Sequence, residues 1–129
     1  MSYRKIQAAL TAHLQAFGAA NLVFASSAHH PRHGSPYLVA SFLPGKVKTV
    51  LLGPDAPKER RGFLQLNIHE VSNAAAMDQL DRLIIHFAHG LTLTFEGQTV
   101  QLATSEAGAD RGTLTSTNIP LIIGWRSYF

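Results

Sequence analysis

Residues 36–68 read PYLVASFLPGKVKTVLLGPDAPKERRGFLQLNI, and this stretch decides the fold class. Tyr37 to Leu43 is an apolar run with strand character, and it meets Pro44-Gly45, a dipeptide that marks a turn. Val47 to Leu52 then reads as the return strand, with Lys46 and Lys48 on one side of its pleat. Gly53 to Arg61 reads as a charged loop holding two prolines. After Gly62 the pattern alternates: Leu64, Leu66 and Ile68 fall on one face, Gln65, Asn67 and His69 on the other. The leucine face is the expected core side, and Phe63 shares the polar one. Nothing in the run is catalytic in type; it offers pleated surface and charge.

The flanking sequence supplies helices. Ser2 is placed to cap a first helix whose apolar positions are Ile6, Leu10, Leu14 and Phe17, stopped by Gly18. Asn21 to Ala25 reads as a short strand, and Ser26 to Pro36 (SSAHHPRHGSP) as a loop. Ser72 or Asn73 caps a second helix with Met77, Leu80, Ile84 and Phe87 as its apolar face. Asp78 and Asp81 sit early in that helix and His86 and His89 late, which complements its dipole, and Gly90 ends it. Leu91 to Phe95 and Thr99 to Ala103 flank Glu96-Gly97-Gln98 as a hairpin. Glu106 to Gly112 reads as a polar loop, and Leu114 to Phe129 as a closing extended segment broken at Pro120. Consecutive strands between two helices predict an α+β fold, a mostly antiparallel sheet with two amphipathic helices packed on it.

Composition narrows the function. At 129 residues the chain has the length of a single domain with a real core. Charged residues make up only 15% of it, which leaves apolar surface to hide and favours an oligomer. The net charge of +3 is modest, and there is no dense Lys/Arg tract. Cysteine is absent, which excludes disulfides, thiolate nucleophiles and Cys-ligated zinc. The N-terminal apolar positions are interrupted by Gln7, His13 and Gln15, so the start reads as neither signal peptide nor membrane span, and the chain is expected to be intracellular when made.

Three groups of residues could carry chemistry. His29, His30 and His33 form HHPRH, a potential zinc-binding cluster for a metalloenzyme. Arg32 inside it repels a cation, and the loop has no carboxylate to orient the imidazoles. His86 and His89 lack the H-E-x-x-H pattern of zinc proteases and read as a cation pair at a helix C-terminus. His69-Glu70 reads as polar residues at a strand end rather than an acid/base pair. There is no G-x-S-x-G, no Walker loop and no G-x-G-x-x-G. No catalytic residue and no cofactor is therefore assigned. The densest basic region is Lys58, Arg60 and Arg61 with Lys46 and Lys48 nearby, diluted by Asp55 and Glu59. It suits contact with a protein partner or with nucleic acid, or merely a solubilising loop.

Several segments together resemble a known family. PYLVASFLPG, then LLG, then a polar loop ending at Arg61 before GFLQLNI, is similar to the tail-terminator-like proteins of long-tailed phages and prophages, the minor tail protein U type. The helix DQLDRLIIHFAHG, the hairpin LTLTFEGQTVQL and the closing IPLIIGWRSYF follow in the same order. The histidine-rich stretch Ala25 to Ser35 is where the chain departs from the resemblance. The resemblance implies a non-enzymatic virion protein assembled in the host bacterial cytoplasm. It implies a ring of identical copies, commonly six, that caps the tail tube, stops its growth and faces the head. The implied partners are the chain itself, the tail tube protein, a head-proximal connector and, transiently, passing DNA, with no membrane. The basic loop from Pro57 to Arg61 becomes a candidate contact, and another minor tail or head–tail connector role stands as the alternative.

Overall fold

A computed structural model describes residues 2–18, 22–24, 37–49, 58–109, 112 and 117–129. Two helices, α1 (Tyr3–Phe17) and α2 (Asn73–His86), accompany six strands. These are β1 (Leu22–Phe24), β2 (Tyr37–Thr49), β3 (Lys58–Glu70), β4 (Thr92–Phe95), β5 (Gln98–Ala107) and β6 (Thr117–Tyr128). They form one sheet in the order β1-β2-β3-β6-β5-β4. β1 lies parallel to β2, and every other pairing is antiparallel. The fold is the α+β class that the order of elements predicts.

The ends of both helices follow from local chemistry. Ser2 Oγ accepts the Lys5 N–H, and Ser72 Oγ accepts the Ala75 N–H at 3.2 Å, so each serine satisfies a donor that the helix leaves unpaired. Gly18 closes α1 in the left-handed region at φ +79°, its N–H returning to the Gln15 carbonyl. The hairpin turn is Glu96-Gly97, with φ of +47° and +81°, the doubly positive backbone of a type I′ two-residue turn.

One buried cluster holds the fold together. Leu64, Leu66 and Ile68 of β3 lie opposite Ile123, Leu121 and Ile119 of β6, and all are buried. Leu38 and Ala40 extend this surface on β2. α1 covers β4 and β5, and α2 covers β3 and β6. A buried polar chain ties the layers: Gln98 accepts the Ser2 N–H at 3.0 Å and donates to Ser127 Oγ at 2.7 Å, and Ser127 donates to the Thr99 carbonyl.

Four sequence expectations are corrected. Pro44-Gly45 is not a turn. Between Pro44 opposite Gly62 and Val47 opposite Arg60, β2 advances three residues while β3 advances two, so the pair is a bulge in one long strand. Gly45 serves close approach rather than a left-handed backbone, since a Cβ there would lie 2.6 Å from the Arg61 carbonyl oxygen. Val47 therefore continues β2 rather than starting a return strand. Secondly, Lys58 to Arg61 begin β3 instead of ending a loop, paired with both β2 and β6.

Thirdly, the buried face of α2 is Ala76, Leu80 and Leu83, with Phe87 after it, whereas Met77 and Ile84 are exposed. α2 also ends at His86, before Gly90. Lastly, Pro120 does not break β6. Its carbonyl accepts the Gly108 N–H just beyond the end of β5, so its missing N–H falls where that neighbour runs out. The segments 25–36 and 50–57, which contain the predicted histidine loop and part of the basic loop, lie outside the described residues.

Candidate functional site

Directly opposed residues of antiparallel strands share a face. The register therefore builds a second surface on the side of the sheet away from the core. Leu43 faces Phe63, Phe63 faces Gly124, Arg61 faces Arg126, and Glu59 faces Tyr128. Phe63 is 50% exposed, and Leu43 and Tyr128 are nearly as open. Arg61, Gly62, Phe63, Gly124 and Arg126 line a shallow hollow of about 230 Å³ with the adjoining β5 residues.

Two arginines directly opposite one another repel, so each needs a partner. Arg61 forms an ion pair with Glu59, whose side chain is only 7% exposed. Arg126 Nε donates to Gln101 Oε1 at 2.9 Å. Among the described side chains at this end of the face, these three charges leave one net positive charge on an aromatic and aliphatic surface. Further along the same face, His69 stacks on Tyr37 at 4.1 Å, and burial pushes its pKa down from the ordinary 6.5.

The residues singled out in the sequence fare differently. Lys58 is exposed at the strand end, where its backbone N–H and carbonyl both pair with Phe129. Arg60 is committed internally. Its guanidinium lies 4.0 Å above the Phe129 ring and 5.5 Å from that of Tyr3, and Nε donates to the Phe129 carbonyl at 3.2 Å. Lys46 and Lys48 lie on β2 at and beyond the bulge, and their side chains are outside the description. His29, His30 and His33 lie outside the described residues, among which no three His, Asp or Glu side chains gather as a metal site.

His86 pairs with His13 of α1 rather than with His89, which lies beyond the helix and is exposed. A larger cavity, about 500 Å³, lies between α1 and β2. Leu10, Leu14, Phe24 and Phe42 line it, and its polar lining is Gln7, Thr11 and Ser41, with no titratable side chain among them.

Arg126 is the surface residue that sequence reasoning passed over. Its partner Arg61 is 65 positions earlier, and only the β3–β6 register brings them together. α2 presents the other exposed apolar surface, with Ile85 76% exposed and Met77 and Ile84 partly so. Asp78 and Asp81 are exposed on the same arc of the helix. No helix among the described residues is long and apolar enough to cross a membrane.

Comparison with known proteins sets these surfaces in a family. One solved structure, whose name carries no functional word, aligns with a TM-score of 0.76 at 20% identity, covering 100% of this chain and 97% of that one. Another, from the virion of a native gene transfer agent particle, aligns with a TM-score of 0.66 at 14% identity, covering 98% of this chain and 97% of that one. At such identities these likenesses speak for the fold. No curated protein matches in sequence. The family model of the phage tail terminator protein matches residues 5–125. This defines the class: a structural phage tail protein, a component of the virion. Within that class, the chain belongs to the phage tail terminator family.

Proposed function

We propose that this protein is the tail terminator itself, closing as a ring on the end of the tail tube, stopping tube growth and presenting a surface to the head. The family match over residues 5–125 carries the reading. A chain with exposed apolar side chains on two separate surfaces is suited to assembly. A ring of six copies, assembled in the host cytoplasm and contacting the tube protein on one side and a head-proximal connector on the other, is the form this role takes. Passing DNA would meet basic side chains, and Lys58 is exposed for such contact, while Arg60 is held by Tyr3 and Phe129. The test is to mix purified protein with tail tubes and image the ends by negative stain, alongside sedimentation velocity over a wide concentration range. Rings at tube ends are expected. A strict monomer that never associates with tubes would overturn the proposal.

A further inference from the structure

The large apolar side chains that stay exposed among the described residues fall into two groups. Leu43, Val47, Phe63 and Tyr128 gather at one end of the β2–β3–β6 ladder, all but Val47 on the open face. Val71, Met77, Ile84 and Ile85 lie on α2 and its approach. The charges beside them differ in sign. The sheet group surrounds Arg61 and Arg126, with Glu59 buried beneath. The helix group flanks Asp78 and Asp81, and the one arginine of α2, Arg82, is turned aside to Gln79 and the Phe17 ring.

We infer that these two patches are the two halves of one contact: the outer face of α2 docks on the open sheet face of a second copy of this chain. The inference rests on the ring reading and names its interface. Pairing either patch with itself sets Arg61 and Arg126 against their own copies, or Asp78 and Asp81 against theirs. Pairing one patch with the other sets opposite charges together around apolar centres. Such a contact is heterologous, the type that generates rings when the rotation closes. Its composition suits an interface core: Phe63, Tyr128 and Met77 supply apolar area, and the arginines supply directed donors. The flat hollow beside Arg61, Phe63 and Arg126 receives the projecting Ile85, the most exposed large apolar residue of either group.

The chain has no cysteine, so single engineered cysteines report contacts cleanly. Ile85→Cys and Phe63→Cys alter exposed side chains and leave the core untouched. Under mild oxidation an equimolar mixture of the two variants should give a cross-linked dimer, and each variant alone should give at least tenfold less. The chain carrying both should give a ladder of oligomers ending in a closed species. Strong cross-linking of Ile85→Cys alone means helix-to-helix pairing, and of Phe63→Cys alone sheet-to-sheet pairing; either overturns the inference. No cross-link from variants that still assemble with tail tubes overturns this interface and leaves the ring standing. No cross-link from a chain that is monomeric and ignores tubes overturns the ring reading with it.

Discussion

The rings of His13 and His86 are stacked, with centroids 3.9 Å apart and planes inclined by 11°, and each Nε2 lies 2.6 Å from the other residue's backbone carbonyl. A carbonyl only accepts, so each ring carries its proton on Nε2 and donates across the gap between α1 and α2. Phe87 meets both rings edge-on, and Phe17 lies beside His86. A second proton on the His13 ring would place charge in a stacked, partly desolvated pair. Burial accordingly lowers the pKa of His13 from 6.5, against the raising effect of its hydrogen bond to His86, and the neighbouring imidazole lowers it further.

The first prediction concerns pH. A histidine whose folded pKa lies below its unfolded value is neutral in both states above about pH 6.5, and its contribution to stability is then intact. As pH falls through 6.5 toward the folded value, the unfolded chain takes up the proton first, and that contribution is lost. His69 acts in the same direction. The melting temperature should therefore drop on acidification below neutrality, and His13→Gln should show a shallower drop than the parent. Parallel curves for the two proteins would mean that His13 does not titrate with folding.

Gly62 makes the second prediction. A Cβ there would lie 2.4 Å from Trp125 Cζ2 and 2.5 Å from the Leu43 carbonyl oxygen, so alanine displaces either the indole or β2. Trp125 is buried and stacks parallel to Phe42 at 5.5 Å, so it has little room to move. Gly62→Ala should cost about 1–3 kcal/mol in urea unfolding and shift the fluorescence of the single tryptophan. Gly124→Ala, whose nearest non-adjacent atom is 3.4 Å away, should cost much less and leave the spectrum unchanged.

Arg60 makes the third. Its guanidinium stacks on Phe129 and bonds the Phe129 carbonyl, fixing that residue against α1 and β3. Arg60→Ala should lower stability by about 2 kcal/mol, the sum expected of a cation–π contact and a charged hydrogen bond. Arg60→Lys should recover only part of this, because an ammonium cannot both stack and bond in the plane. Equal stability of all three proteins by urea titration would show that the clasp is idle in solution. Partner-binding tests are better made at Lys58 and Arg126, both exposed, where a loss of binding is separable from a loss of fold; removing Arg61 would leave buried Glu59 without its ion-pair partner.

How much of this was legible beforehand depends on the range of the interaction. The caps at Ser2 and Ser72, the alternation of Leu64, Leu66 and Ile68, and the Glu96-Gly97 hairpin are written in neighbouring residues, and all were readable. Pro44-Gly45 misled because a turn and a bulge use the same residues; only the partner strand, continuing past Gly62 to Lys58, decides that the chain goes on. The face of α2 misled because apolar residues encircle much of it, and small Ala76 packs into the core where larger Met77 does not. The Arg61–Arg126 pair and the His13–His86 stack join residues 65 and 73 positions apart, beyond what any local pattern encodes.

The last prediction tests whether the charges beside the two apolar patches meet between copies. If α2 of one copy rests on the open sheet face of the next, Asp81 and Arg126 belong to opposite sides of one contact, at its solvent-exposed margin. Asp81→Lys alone, or Arg126→Glu alone, replaces attraction by repulsion. Each should slow cross-linking between the Ile85→Cys and Phe63→Cys variants by about two- to fivefold, the equivalent of ~0.5–1 kcal/mol for an exposed pair. Both reversals together, one on each partner, restore opposite signs and should restore the rate. Added salt should slow the parent reaction and speed either single reversal, since screening weakens attraction and repulsion alike. A pure loss of folding would give neither the rescue nor the inverted salt response, so the two effects separate an interface from a damaged chain. If the single reversals cross-link at the parent rate in low salt, the charged margins do not face one another, and apolar shape alone must set the order of the copies.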